Sequence, residues 1–170
     1  LFKLNYPKDK FTIYLVDDGS SDNTYEYMKK AQKESEHNVI LIKQEKNQGK
    51  AVALNTALKK VDSKYFACLD ADSEVSSDSL YESVAIFEKR HDEGLAIVTP
   101  IMKIKSPKRI IEWMQRIEYA TAMFLVRIVS YIDSNYVAPG PFSLYKTEVI
   151  KKLGGFSLDT ITEDQDIAYA

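Results

Sequence analysis

Two carboxylates one residue apart, at the end of an apolar run, offer the first chemistry in this chain. Residues 65–69 lead into Asp70-Ala71-Asp72. A continuous apolar run reads as a strand buried on both faces. Ligands of open α/β sheets are met just beyond the carboxyl ends of such strands. Two hard oxygen donors at that spacing can hold a divalent cation, which in turn can hold a diphosphate. The pair equally suits an acidic turn that caps a following helix, and alone it leaves both readings open.

Two further acidic groups sit at element boundaries. Asp17-Asp18-Gly19-Ser20 follows the β-branched and aromatic run 11–16, a strand by composition. Gly19 permits a sharp turn, and Ser21 or Asp22 can then cap a helix with Tyr25, Met28 and Ala31 on one face. Thr162-Glu163-Asp164 comes late in the chain, and Thr162 with Gln165 has capping-box spacing. That puts Glu163 and Asp164 in a first helical turn, where the helix dipole favours the ionised carboxylate. A carboxylate there can accept a proton, although a strongly lowered pKa weakens it as a base. Acidic residues that merely favour a helix start are the alternative. Between these groups, the polar loop Asn47-Gln48-Gly49-Lys50 opens a helix carrying Ala51, Leu54, Leu58 and Val61 at helical spacing.

The elements that must position these residues alternate. A strand over 39–42 precedes the Asn47 loop. A helix over 76–90, with Leu80, Val84 and Phe87 inward, follows Asp72. A strand over 95–98 comes next. Strands alternating with helices predict a mostly parallel sheet covered on both faces. The stretch 110–132 is long and apolar, with Trp113 and Phe124 among its residues. Arg109, Glu112, Arg116, Glu118 and Arg127 interrupt it, at a density that argues against a membrane span. It predicts an amphipathic helix packed on the sheet, with Trp113 as a packing residue; a helix beside an acceptor groove or a membrane surface is the other reading. A short helix over 147–153 ends at Gly154 and Gly155, as a left-handed C-cap requires.

A length of 170 residues suits one domain with a sizeable core. With 45% hydrophobic and 28% charged residues the chain is globular. A net charge of -2 gives no support for nucleic-acid binding. The one cysteine, Cys68, lies in the apolar run and reads as a small core residue. His37 and His91 fall in polar stretches and read as surface residues. The start at Leu1 and the end inside a helical pattern read as a piece of something longer.

Taken in order, Asp17-Asp18-Gly19-Ser20, Asn47-Gln48-Gly49-Lys50 with Asn55, Asp70-Ala71-Asp72 and Thr162-Glu163-Asp164 resemble the family 2 glycosyltransferases. These are inverting enzymes of the GT-A nucleotide-sugar fold. Gly154-Gly155-Phe156 ahead of the last motif looks most like the processive branch, the cellulose, chitin, hyaluronan and poly-N-acetylglucosamine synthases. The resemblance implies a single, incomplete GT-A catalytic domain over residues 1–170, truncated at both ends. It implies a UDP-sugar donor, a glycan or other hydroxyl acceptor, and Mg²⁺ or Mn²⁺ as cofactor. Asp18 matches the contact to uracil and ribose, with Asp17 its less certain neighbour; Lys50 lies in the base-contacting loop. Asp70 matches the carboxylate near ribose and diphosphate, and Asp72 the metal ligand. Asp164 matches the general base. Glu163, Gly140 and Pro141 fall on the acceptor side.

The resemblance also implies membrane attachment through segments absent from this chain, and a working place on the cytoplasmic face. Two features depart from the family pattern. No acidic first strand precedes residue 11, and the downstream Gln-x-x-Arg-Trp motif of processive members is not reached. Rival readings are a receiver-type phosphoacceptor module, a nucleotidyltransferase and a non-catalytic nucleotide-sugar-binding piece. The first leaves the Asn47 loop and the Thr162 motif unexplained, and the second lacks its basic glycine-rich loop.

Overall fold

The computed structural model describes residues 1–90, 94–132, 141–159 and 166–167. Strand β1 (Thr12–Asp17) leads into helix α1 (Thr24–Glu34), then β2 (Asn38–Lys43) and α2 (Lys50–Leu58). Next come β3 (Tyr65–Ala67), α3 (Ser79–Lys89), β4 (Ile97–Val98), α4 (Ile110–Ser130), β5 (Leu144–Lys146) and α5 (Thr147–Lys152). β1 and β2 pair in parallel, Thr12 opposite Asn38 through Asp17 opposite Lys43. β5 runs antiparallel between β3 and β4. β3 and β4 therefore run parallel to each other. The hydrogen-bonded pairs fall in two sheets, β1-β2 and β3-β5-β4, and the expected α/β arrangement holds with β5 as a reversed strand.

Two buried clusters meet across β5. Tyr145 is fully enclosed with Leu58, Ile150, Phe156 and Ile167; Leu144, one residue earlier and so on the other face, joins Phe87 and Val98. Phe87, Leu80 and Val84 face inward on α3, as their spacing predicts. Cys68 lies at the margin of the Tyr145 cluster.

Four expectations are corrected. The strand expected to run to Asp70 ends at Ala67. Phe142, two residues before Ala67's partner Leu144, adopts φ +63°, which breaks the ladder after one last bond from Phe142 N–H to the Cys68 carbonyl (2.6 Å). The helix expected from residue 76 begins at Ser79, where the Ser76 carbonyl accepts the Ser79 N–H (3.2 Å). His37 is half-buried rather than a surface residue: its ring stacks on Phe2 and lies 5.0 Å from Phe11. His91 lies outside the described residues. Helix α4 forms over nearly the predicted span but none of its residues is buried. Trp113 is half exposed under the Arg116 guanidinium instead of packed on the sheet. Among the described residues, no helix is long and apolar enough to cross a membrane.

Candidate functional site

Parallel pairing sets the loops after β1 and β2 side by side. The bond from Gln44 N–H to the Asp17 carbonyl (2.9 Å) extends the ladder to the strand ends. Gly19 then turns at φ +72°. A Cβ there would lie 2.5 Å from the Lys46 carbonyl carbon, so only glycine lets the loops touch.

Asp17 and Asp18 part ways at this turn. Asp17 points inward and is 2% exposed; its Oδ1 accepts the Ser20 N–H (2.9 Å), while Oδ2 is buried without a hydrogen-bond partner. Hydrogen bonding from Ser20, side chain first and backbone second, holds the Asp17 carboxyl below the usual carboxylate range, against burial that raises it. Asp18 reaches across the gap. Its Oδ1 accepts the Gln48 N–H (2.9 Å) and its Oδ2 the Gly49 N–H (2.8 Å). Gly49, at φ +93°, is the N-cap of α2, so a carboxylate sits at that helix's positive end.

Lys50, the first residue of α2, places its Nζ 3.1 Å from Asp70 Oδ1. Both side chains stay accessible, at 47% and 39%. Asp18, the Gly49-Lys50 step and Asp70 thus form one continuous line across the ends of β1 and β3. The Ser73 N–H closes a turn onto the Asp70 carbonyl (3.1 Å), and Asp72 is exposed on that turn. The bond from Phe142 to Cys68 brings Pro141 toward the same strand end. Gly140, Glu163 and Asp164 lie outside the described residues, as does the expected cap from Thr162 to Gln165.

No three His, Cys, Asp or Glu side chains converge as a metal cage among the described residues. A nucleotide-bound Mg²⁺ needs only one or two carboxylates and supplies its remaining oxygens from phosphates and water. Asp70 and the exposed Asp72 fit that donor set. Lysine beside Asp70 adds a cation where a diphosphate would bring negative charge.

The sequence places Asn55 downstream of the Gly49-Lys50 loop without indicating what it does. Its signal was a polar residue in the interior of a short apolar helix, where a half-buried amide needs partners. Those partners are the backbone of Phe156.

The class follows from strand order, loop placement and a family match together. The family model for glycosyl transferase family 2 matches residues 2–154, and the chain belongs to that family. Among curated relatives it is 33% identical over 162 residues to the poly-beta-1,6-N-acetyl-D-glucosamine synthase of Staphylococcus aureus (strain COL), covering 95% of this chain and 38% of that protein. Identity to the same-named synthase of Staphylococcus epidermidis is 32% over 170 residues, covering 99% and 40%. The chain thus spans about two-fifths of the length of these relatives.

Two solved structures share the GT-A fold. S. aureus TarS 1-349 in complex with UDP-GlcNAc aligns with TM-score 0.74 at 22% identity, covering 98% of this chain and 46% of that one. The mannosyltransferase PcManGT of Pyrobaculum calidifontis, in complex with GDP-Man and Mn²⁺, aligns with TM-score 0.73 at 23% identity, covering 96% and 43%.

Proposed function

We propose that the protein transfers a sugar from a UDP-sugar to a hydroxyl of a growing glycan, with inversion to a β-linkage. The observation that supports this most is the line from Asp18 through Gly49 and Lys50 to Asp70, because it joins residues distant in sequence at the strand ends where a nucleotide would lie. Family membership and the polysaccharide synthases among its relatives support the reaction class.

In this reading Asp18 and Lys50 hold the nucleoside, with Asp17 stiffening the turn behind them. Asp70 would face ribose and diphosphate, and Asp72 would hold Mg²⁺ or Mn²⁺. A divalent ion bound there would stabilise the charge that grows on the diphosphate. Asp164 takes the proton of the acceptor hydroxyl as its oxygen bonds to the anomeric carbon. The bond from that carbon to the β-phosphate oxygen breaks, and UDP leaves with the electron pair. Glu163, Gly140 and Pro141 line the acceptor side. The intact protein would work at the cytoplasmic face of a membrane, attached through segments outside this chain.

Two measurements test this. Asp164→Asn in the intact protein should lower transfer by about 10²–10⁴-fold while UDP affinity holds; retained transfer would remove the base assignment. Calorimetry with UDP should show tighter binding with Mn²⁺ than without, and Asp72→Ala should abolish that difference. Metal-dependent UDP binding without transfer to any acceptor would select a non-catalytic binding module instead.

A further inference from the structure

Asn55 uses its whole carboxamide on one residue 101 positions away. Its Nδ2 donates to the Phe156 carbonyl (2.8 Å), and its Oδ1 accepts the Phe156 N–H (2.8 Å). Gly155 makes room for this clamp. It sits at φ +92°, and a Cβ on it would fall 2.3 Å from Asn55 Oδ1. Gly155 N–H bonds the Ile150 carbonyl (2.9 Å), which fixes the turn from the other side. Phe156 itself is buried, edge-on to Phe66 and Tyr145.

Helix α2 therefore carries two functions on one short rod. At its first turn Gly49 and Lys50 meet Asp18 and Asp70. Farther along, Asn55 grips Phe156, and Leu58 shares a buried cluster with Phe156 and Ile167. Phe156 and Ile167 bracket, in sequence, the stretch holding Thr162-Glu163-Asp164. Both brackets rest on the helix that begins in the donor loop.

We propose that Asn55 is a positioning residue that holds the Phe156 turn, which leads in sequence toward Asp164, against the helix that opens in the nucleotide-holding loop. The inference rests on the glycosyl-transfer reading. The donor loop keeps its own ties, through Asp18 and the pair of Lys50 with Asp70, so loosening the clamp leaves nucleotide binding in place. It frees the Phe156 turn from that helix, and a misplacement of about 1 Å in a reacting group costs about 10²-fold in rate.

The experiment compares Asn55→Asp, Asn55→Ala, Gly155→Ala and the Asn55→Ala/Gly155→Ala double variant in the intact protein. Asp keeps the shape and the acceptor for Phe156 N–H but loses the donor to the Phe156 carbonyl. Expected for Asn55→Asp is a kcat per folded molecule about 10- to 100-fold lower, with UDP affinity in Mn²⁺ within about twofold of wild type. Gly155→Ala should cost less in the Asn55→Ala background, because its methyl then enters vacated space.

A lowered Tm with unchanged kcat per folded molecule would overturn the proposal in favour of a structural bond. A parallel loss of kcat and UDP affinity would make Asn55 a donor-site residue and overturn it as well. Wild-type turnover is measured first: a wild type that binds UDP and transfers nothing fails the underlying reading and takes the coupling with it. A wild type that transfers, beside an unaffected Asn55→Asp, fails the clamp alone.

Discussion

Helices α2 and α4 are made of similar material and end up in opposite situations. α2 has 9 residues, and each part of it has a distant partner: Asp18 at its cap, Asp70 at Lys50, Phe156 at Asn55 and the Tyr145 cluster at Leu58. α4 has 21 residues and buries none. Ile110, Met114, Ile117, Phe124, Ile128 and Tyr131 repeat at helical spacing along one exposed face. Its start is satisfied locally, Glu112 accepting the Lys108 N–H (2.6 Å) and the Arg109 N–H (3.1 Å). Length and apolar content make a helix. Contacts far away in sequence decide whether it becomes a structural member, and Asp18 and Asp70 both meet the first turn of the helix that has them.

The contrast can be broken first at the crossing of the two loops. Gly19→Ala adds strain at φ +72° and an overlap with Lys46 backbone, which cannot swing aside. We expect a loss of about 4 kcal/mol, read by urea unfolding; a loss under about 1 kcal/mol would mean the loops do not touch in solution. Leu58→Ala should cost about 3 kcal/mol, since it opens a cavity beside Tyr145 and Phe156. Thermal unfolding checks it, with about 2–4 °C expected per kcal/mol for a chain of this size.

Asp17 gives a smaller effect with a definite sign. Its carboxyl is held below the usual range in the folded protein, so it binds its proton less readily there than in the unfolded chain. Its contribution is present above the unfolded value of about 3.9 and fades as pH falls through the lower folded value. Asp17→Asn should flatten this acid-side loss in unfolding midpoints taken from about pH 6 down to about pH 2. An unchanged slope would mean that Ser20 does not favour the ionised form.

The same contrast separates what sequence carries from what it leaves out. Apolar runs and helical spacing predict β1, α1, β2 and α2 because period and composition are local properties. Asp18, Lys50 and Asp70 became legible as a set through the ordered motifs that resemble a family, each following a strand or opening a helix where a ligand of an α/β fold is met. The last three residues expected of the Asp70 strand were not, because the ladder there ends on the backbone angle of Phe142, 74 positions beyond Cys68. Asn55 was visible as a polar residue in an apolar helix, but its partner was not, since the bond spans 101 positions. The placement of α4 failed for the complementary reason. A periodic apolar face shows which side of a helix is greasy and says nothing of what stands opposite.

The smallest expected effect tests that last point. Ile117 is 65% exposed and Phe124 63%, so neither gives up much burial when shortened or made polar. Ile117→Ser and Phe124→Ser should each change unfolding free energy by about 0.5 kcal/mol or less. Val126, half-buried on the other side of the helix, should respond more, with Val126→Ala costing about 1 kcal/mol. The ordering matters more than either size, because it reads which face of α4 meets the rest of the chain. If Ile117→Ser cost about 2 kcal/mol or more, and the wild-type Tm rose with protein concentration, the exposed stripe would be covered in solution by a second copy. The contrast with α2 would then become one between a helix covered by its own chain and a helix whose apolar stripe is covered by a second copy.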